Sequence, residues 1–421
     1  MRVFKFGGAS VRNANSIKKV ATIIQFYIDQ PLLIVVSAMG KTTNALERLL
    51  NLKNGNLEHE LNQIITYHSI IIEELFEGKN PLAEELRSIK SNILEQLKNT
   101  DSTPEELYDQ VVSQGEIIST LVVSAYLKKI GLPSLWKDAR KYIVTDASFC
   151  EAVVNWDQSN NLIQSLTDVL NKSIVITQGF IGSTKDGRTT TLGREGSDFS
   201  AAIFASCLSA ESVTIWKDVP GVMSADPKRL PAAITFEELP FREAAEMTYY
   251  GASVIHPKTI KPLANRNIPL IVKSFDNIDL PGTRIHKCKI DQLPPLIVFK
   301  DNQCLISCQV TDYTFIDESQ IGIIFSALST RNLKVNMIQN SAISFSFCLD
   351  FKEEKVLELI EELGKIFEVY YNTGLTLITI KNYDTDSYNK YKNQKNVVLE
   401  QSSRSTLQVL IKSTPLIASE Q

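Results

Sequence analysis

Lys5 is the next-to-last residue of the largely apolar run RVFKF at residues 2–6, and Gly7, Gly8, Ala9 and Ser10 follow that run directly. A cation at the end of a buried strand, beside two glycines and ahead of a helix, brings together an ammonium, backbone N–H groups and the positive end of a helix dipole. All three favour phosphate. A lysine snorkelling from an edge strand would give the same sequence. The stretch TTTLGREGSDFSA at 189–201 is the second constellation: Gly193 and Gly196 bracket Arg194 and Glu195, and Ser197 and Asp198 open a helix. Arginine can fork onto a carboxylate through two hydrogen bonds, and Asp198 could align Lys5 or simply cap its helix. Lys217 and Asp218 end a strand and, with the charged run SADPK that closes on Lys228, form a loop fit for a nucleotide.

Two further segments carry less specific signals. Gly40-Lys41-Thr42 resembles the end of a phosphate-binding P-loop, but the required first glycine falls on Val35, so the motif is excluded. A strand-turn-helix with hydroxyl side chains can still present amides to an anion, which keeps Ser37 to Asn44, including Thr43, as a candidate substrate turn beside the ordinary reading of a cap. Gly115, next to Glu116, sits inside a helical pattern, where glycine costs about 1 kcal/mol relative to alanine. A close ligand or a close helix would each explain it.

The elements that must position these residues alternate. Strands are expected at 2–6, 32–36, 173–182, 212–219 and 268–275, and helical periods lie between them, with residues 57–130 helix-rich and Pro81 and Pro104 at helix starts. Strands apolar on both faces, separated by helices, predict an α/β sandwich with a mainly parallel, doubly wound sheet and ligands at its carboxyl ends. A proline-rich passage at 281–295 marks a change to strand-helix-strand-strand-helix order, closed by FEVYYN and TLITIK, which fits a small α+β regulatory fold. The polar tract at 381–396 reads as a solvated connection, and NVVLEQ with TLQVLIK as a hairpin.

Composition narrows the function. The chain has 421 residues, with 44 Lys+Arg against 48 Asp+Glu, a formal net charge of -4 and 43% apolar residues. No positive field is available to hold a nucleic-acid backbone or an anionic membrane, so neither is an expected partner. The apolar runs are too short to span a bilayer, and no leader is read at the start, so a cytoplasmic protein is expected. Six scattered cysteines and four scattered histidines give no disulfide framework and no structural metal site. Cys304 and Cys308 belong to the alternation CLISCQV and are expected to pack in a strand.

Taken together, KFGGAS, VVSAMGKTTN, SQGEIIST, QGFIGS, TLGREGSD, WKDVPGVMSADP and YYGASVIHPKT occur in the order and approximate spacing of the aspartate kinases, and over residues 1 to 380 the chain resembles that family of the amino acid kinase superfamily. The resemblance implies an amino acid kinase domain over residues 1–285. It also implies an ACT-like regulatory region over 296–421, with a first module at about 300–370 and a reduced second module at about 374–413. The implied reaction is transfer of the γ-phosphoryl group of ATP, with Mg²⁺, to the side-chain carboxylate of L-aspartate, the first step toward lysine, threonine and methionine. Lys5 and Asp198 are the implied catalytic pair. Ser37, Thr43, Glu116, Arg194, Glu195, Gly196 and Ser197 are implied for aspartate, and Lys5, Gly7, Gly8, Ala9, Lys217, Asp218, Met223, Lys228, Ser253 and Val254 for the nucleotide.

Many relatives carry Tyr, Arg and Lys where this chain has Met223, Lys228 and Ser253. The second module reads as stripped of its helices. A lysine or threonine effector at the first module, near residues 319–325 and 336–340, and a homodimer are implied as well. The alternatives are an amino acid kinase with a glutamate-type acceptor and a catalytically silent amino-acid-sensing regulator; retention of Lys5 and Asp198 counts against silence.

Overall fold

The computed structural model describes residues 1–421 except 53–55, 252–254, 313, 395 and 413–421. Its contacts divide the chain into two units, one of residues 1–223, 235–248 and 253–290, the other of 224–234, 249–252 and 291–421.

In the first unit the N-terminal half runs β1 (Arg2–Phe6), α1 (Ala14–Phe26), β2 (Leu32–Val36), α2 (Thr42–Leu50), α3 (Leu57–Leu75), α4 (Ala83–Lys98), α5 (Pro104–Val112), α6 (Gln114–Lys129), β3 (Ser134–Lys137) and β4 (Val144–Thr145). It continues with α7 (Trp156–Gln164), α8 (Thr167–Leu170), β5 (Ile174–Gln178), β6 (Ile181–Thr184), β7 (Thr189–Thr191), α9 (Gly196–Cys207), β8 (Ser212–Lys217), β9 (Glu238–Pro240), α10 (Phe241–Tyr250), α11 (Pro257–Arg266), β10 (Leu270–Ser274) and β11 (Thr283–His286). Eight strands form one sheet in the order β3-β5-β2-β1-β8-β10-β11-β9. Every pairing from β3 to β10 is parallel, and β10 with β11 is antiparallel.

The expected mainly parallel sheet is therefore present. All residues of β2 and β5 are buried, as strands covered on both faces must be. From β1 the chain builds outward to β2 and β5 on one side and to β8 and β10 on the other, so the order reverses at β1. Such a reversal opens a crevice at the carboxyl ends of the strands. Lys5, Ser37 and Lys217 lie at the ends of β1, β2 and β8.

Local signals set several boundaries. Thr103 caps α5 with Pro104 at its first position, as the sequence predicts, whereas α4 starts two residues beyond Pro81. The turn after Lys5 differs from expectation. It enters a short 3₁₀ segment, Gly8–Val11, and α1 begins only after Asn13, whose side chain accepts a hydrogen bond from Ser16 N–H. The predicted strand at 173–182 divides into β5 and β6, which belong to different sheets.

The second unit contains β12 (Leu296–Gln309), α12 (Glu318–Thr330), β13 (Val335–Asn340), β14 (Ser344–Asp350), α13 (Glu353–Leu363), β15 (Glu368–Lys381), α14 (Thr385–Lys392), β16 (Val397–Ser402) and β17 (Thr406–Lys412). They form one six-stranded antiparallel sheet, β13-β14-β12-β15-β17-β16, the α+β region that was expected. Cys304 and Cys308 are buried in β12, among Ile306, Phe347 and Leu359. The expected 397–412 hairpin is β16 with β17.

Two expectations are corrected here. FEVYYN and TLITIK are one continuous strand, β15, which pairs along its length with β12 across irregularities at Lys300–Gln303 and Gln303–Leu305. The tract at 381–396 is not merely a solvated connection: it contains α14, started by a capping box of Asp384 and Ser387. This helix buries Tyr391, whose ring centroid lies 6.4 Å from that of Phe299. The region expected to be stripped of its helices thus contains one.

Candidate active site

Lys5 projects from the end of β1 with its Nζ 2.6 Å from Asp198 Oδ1, and Lys217, at the end of β8, brings its Nζ to 3.7 Å from Asp198 Oδ2. Asp198 sits in the first turn of α9, where a carboxylate also meets the positive end of the helix dipole. Its N-cap position belongs to Glu195, so the simple capping role is excluded. The Asp198 side chain is 4% exposed, and the two lysines flank it where the strand order reverses. One carboxylate thereby holds two cations at the mouth of the crevice. The local charge favours an anion.

A cavity of about 520 Å³ opens over this group, lined on one side by Ser37, Thr43 and Glu116 and on the other by Arg194, Glu195, Gly196 and Ser197. Glu116 is buried in α6. Its Oε1 accepts a 3.4 Å hydrogen bond from Ala38 N–H, and its Oε2 has no hydrogen-bond partner. Burial raises its pKa to about 8, against the opposing pull of its backbone bonds and of Lys5. An unpartnered buried oxygen of this kind calls for a hydrogen-bond partner.

The loop after β2 is held by close approach. A Cβ on Gly8 would lie 2.7 Å from Ala38 O, and Gly40 N–H donates to Gly8 O at 3.0 Å, so only glycine lets the two turns meet. Gly115, whose role was open between ligand and helix packing, is explained by packing: a Cβ there would lie 3.1 Å from Ala38 Cβ and 3.3 Å from Thr42 Cγ2.

The opposite wall is anchored by a residue with no motif of its own. Asp109, buried in α5, accepts from Thr191 N–H at 2.8 Å, from Thr191 Oγ1 at 2.6 Å and from Cys150 N–H at 3.0 Å. These bonds fix the strand that leads into Gly193 and Arg194 together with the segment carrying Cys150 and Glu151. Next to Asp109, Tyr108 donates its hydroxyl to Glu47 Oε1 at 2.6 Å, tying α5 to α2 across the cavity wall. Cys150, Phe180 and Glu195 all line the cavity with left-handed backbones, φ 68°, 72° and 53°. Such conformations are costly for residues with a Cβ and concentrate where the surroundings impose them for function.

Of the residues expected from sequence, Lys5, Ser37, Thr43, Glu116, Arg194, Glu195, Gly196, Ser197, Asp198 and Lys217 come together around this cavity. Arg194 is exposed and makes no ion pair with any described residue. Gly7, Gly8 and Ala9 form the turn beneath Lys5 rather than the lining, and Asp218 and Met223 lie farther along, Met223 bridging Thr235. Lys228 belongs to the second unit. Ser253 and Val254 lie outside the described residues. Sequence reasoning missed Glu47, Tyr108, Cys150, Glu151 and Phe180 as lining residues. Two carried a signal: Glu47 lies one helical turn beyond Thr43, and Phe180 stands in the QGFIGS block.

Residues 1–274 match the model of the amino acid kinase family. The chain is 33% identical over 392 residues to lysine-sensitive aspartokinase 3 of Escherichia coli, covering 90% of this chain and 86% of that protein. It belongs to the aspartokinase branch of the amino acid kinase family. A bifunctional aspartokinase/homoserine dehydrogenase of Zea mays is 32% identical over 382 residues, but this chain spans only 41% of that relative's length. The crystal structure of E. coli aspartokinase III in complex with aspartate and ADP superposes with a TM-score of 0.83 at 30% identity, covering 98% of this chain and 96% of that one. The aspartate kinase of Clostridium acetobutylicum, at 24% identity and a TM-score of 0.80, shares the fold of this chain.

Proposed function

We propose that the chain is an active aspartate kinase, transferring the γ-phosphoryl group of ATP to the side-chain carboxylate of L-aspartate to give 4-phospho-L-aspartate and ADP. The observation that carries this reading is Asp198 holding both Lys5 and Lys217 at the strand-order reversal, in a chain that aligns over most of an aspartokinase's length. A carboxylate is already a nucleophile, so the reaction calls for in-line placement and charge neutralisation rather than a general base. One carboxylate oxygen forms the new bond to phosphorus as the bond to the β–γ bridging oxygen breaks, and the leaving charge goes to ADP.

In this reading Lys5 stabilises charge on the transferring group and Asp198 positions both lysines. Arg194 pairs with the α-carboxylate of aspartate, and Glu116 and Thr43 take its ammonium side, with Ser37, Glu195, Gly196 and Ser197 closing the pocket. Lys217 and Asp218 meet the nucleotide, while Met223, Lys228, Ser253 and Val254 are assigned to it by motif alone. Among the described residues no group of three or more His, Cys, Asp or Glu could hold a metal, so the cleft fits Mg²⁺ that enters with ATP better than a resident ion. When bound, Mg²⁺ supplies further neutralisation of the phosphates.

The aspartokinase relatives disfavour a glutamate-type acceptor, and the paired Lys5 and Asp198 support activity over silent sensing. We assign the enzyme to the cytoplasm; no helix among the described residues is long and apolar enough to cross a membrane. The C-terminal region is read as ACT-like and regulatory, with lysine favoured over threonine as effector because the E. coli relative is described in complex with lysine. Pairing of these regions would give a homodimer, for which light scattering is the check. The activity is tested with purified protein, ATP, Mg²⁺ and L-aspartate, trapping acyl phosphate with hydroxylamine, with and without lysine or threonine. Aspartate-dependent hydroxamate supports the reading; its absence from folded, ATP-binding protein, or its appearance only with L-glutamate, overturns it.

A further inference from the structure

On the strands that carry Lys5 and Lys217, alternate side chains point to the opposite face of the sheet. A doubly wound sheet calls for an apolar surface on both faces. Here the register instead sets Trp216 beside Lys273 and Ile271 beside Arg284, with Arg2 on the same face as Phe4. A cavity of about 290 Å³ lies on this face. It shares no lining residue with the cleft over Asp198.

The cavity wall has two chemical parts. Phe4, Tyr27 and Trp216 form an aromatic floor, with Phe4 and Trp216 ring centroids 5.5 Å apart and edge-on, and Phe4 and Tyr27 5.2 Å apart. Around it stand three cations against one carboxylate. Arg2 is 3.6 Å from Glu211 and lies over the Tyr27 ring at 5.9 Å. Lys273 Nζ donates to the Tyr27 hydroxyl at 3.4 Å and sits 5.8 Å from the Trp216 ring centroid. Arg284 is exposed and makes no ion pair with any described residue. In a chain of net charge -4, this local excess of positive charge runs against the average, and hydrogen-bond donors dominate the rim.

We propose that this cavity is a second binding site, for a small aromatic anion: a single ring seated against the aromatic floor, bearing a carboxylate or phosphate that meets Lys273 and Arg284. Its volume falls at the lower end of ligand pockets, which suits one ring rather than a nucleotide. Arginine and lysine beside aromatic rings hold both parts of such a ligand, the ring by stacking and the anion by charge-assisted hydrogen bonds. Phe4 adjoins Lys5 and Trp216 adjoins Lys217 in the chain, so the site lies directly behind the two lysines of the cleft. The proposal does not rest on the activity assigned to that cleft.

Isothermal titration of the full chain with 3-phenylpropionate and with phenyl phosphate tests it, with saturating ADP, Mg²⁺ and aspartate present to occupy the cleft. Saturable binding of one or both is expected, weakened about 5- to 10-fold or more in Arg284→Ala and in Lys273→Met, the loss of one charge-assisted contact. Arg284 is exposed, so its substitution leaves the fold intact, and a thermal melt checks both variants. The stronger of the two probes identifies the anionic group. No saturable binding of either probe, equal binding by the variants, or equal binding of inorganic phosphate would overturn the proposal.

Discussion

Asp109 and Thr191 are joined by two hydrogen bonds, from the Thr191 amide and from its hydroxyl, and a third from Cys150 N–H completes the buried carboxylate. The pair locks α5 to the strand that delivers Arg194. Asp109→Ala strands a buried backbone donor at Thr191 and a part-buried one at Cys150, and a stranded buried donor costs on the order of 1–3 kcal/mol, so a loss of about 2–4 kcal/mol is expected. Denaturant unfolding measures it. A change under about 0.5 kcal/mol, the scale of a neutral surface substitution, would show that the anchor is not needed.

Lys5→Ala should lower kcat by about 10²-fold or more with little change in aspartate KM, because a cation placed for the transferring group acts mainly in the transition state. Loss of Lys5 leaves Asp198 with Lys217 still 3.7 Å away, so the carboxylate is not stranded and the protein should fold. Near-normal kcat in folded protein would remove Lys5 from this role.

Arg194→Ala should instead raise aspartate KM about tenfold or more, the loss of a charge-assisted bond to the α-carboxylate. Its exposure and lack of an ion-pair partner among the described residues mean that folding stability should hardly move. Unchanged saturation by aspartate would refute the contact.

Glu195 holds φ 53° and a buried Oε2 without a hydrogen-bond partner. Both features cost stability, and glycine relieves both while adding chain entropy to the unfolded state. Glu195→Gly should therefore leave stability unchanged or raise it by up to about 1 kcal/mol, while aspartate KM rises if the carboxylate serves the pocket. A clear fall in melting temperature would mean that the side chain contributes to folding.

Much of this site was legible in the chain because its signals are local. Strand ends marked by KFGG and WKDV, and a glycine-flanked loop opening a helix, each place a charged residue at a carboxyl end without knowledge of the rest of the fold. The pairing of Lys5 with Asp198 was one of two readings open for Asp198, beside a helix cap, and the 2.6 Å contact decides between them. Asp109, Tyr108 and Cys150 were not legible, since nothing in YDQVV announces that a helix will turn one carboxylate onto a strand 82 residues later. Helix α14 was missed for a related reason: its sequence TDSYNKYK buries only Tyr391, so no apolar period exists, and the only local clue was the spacing of Asp384 and Ser387. The unbroken strands β12 and β15 also escaped notice, because Asn302 and Gly374 read as breaks in the sequence, whereas in the structure they hold left-handed backbones, φ 54° and 67°, inside continuous strands.

Glu116 makes stability depend on pH in a direction opposite to most carboxylates. Burial raises its pKa to about 8 in the folded chain from its ordinary value of 4.5. Between those values the unfolded state has released the proton while the native state retains it. The unfolded state binds fewer protons, and stability falls as pH rises, by up to about 1.4 kcal/mol per pH unit from this group. The contribution is fully present below the unfolded pKa and is lost as pH rises through the folded one. Glu116→Gln keeps the shape and removes the titration, so its stability should decline less than that of the parent chain between about pH 5 and 8. Bound aspartate should act in the opposite sense on the parent chain, since an ammonium beside Oε2 favours the ionised carboxylate and lowers the pKa. Aspartate affinity should then improve as pH rises toward 8, the value burial imposes on Glu116, and Glu116→Gln should abolish that trend. Parallel pH profiles for parent and variant, in unfolding and in aspartate binding alike, would remove Glu116 from both roles.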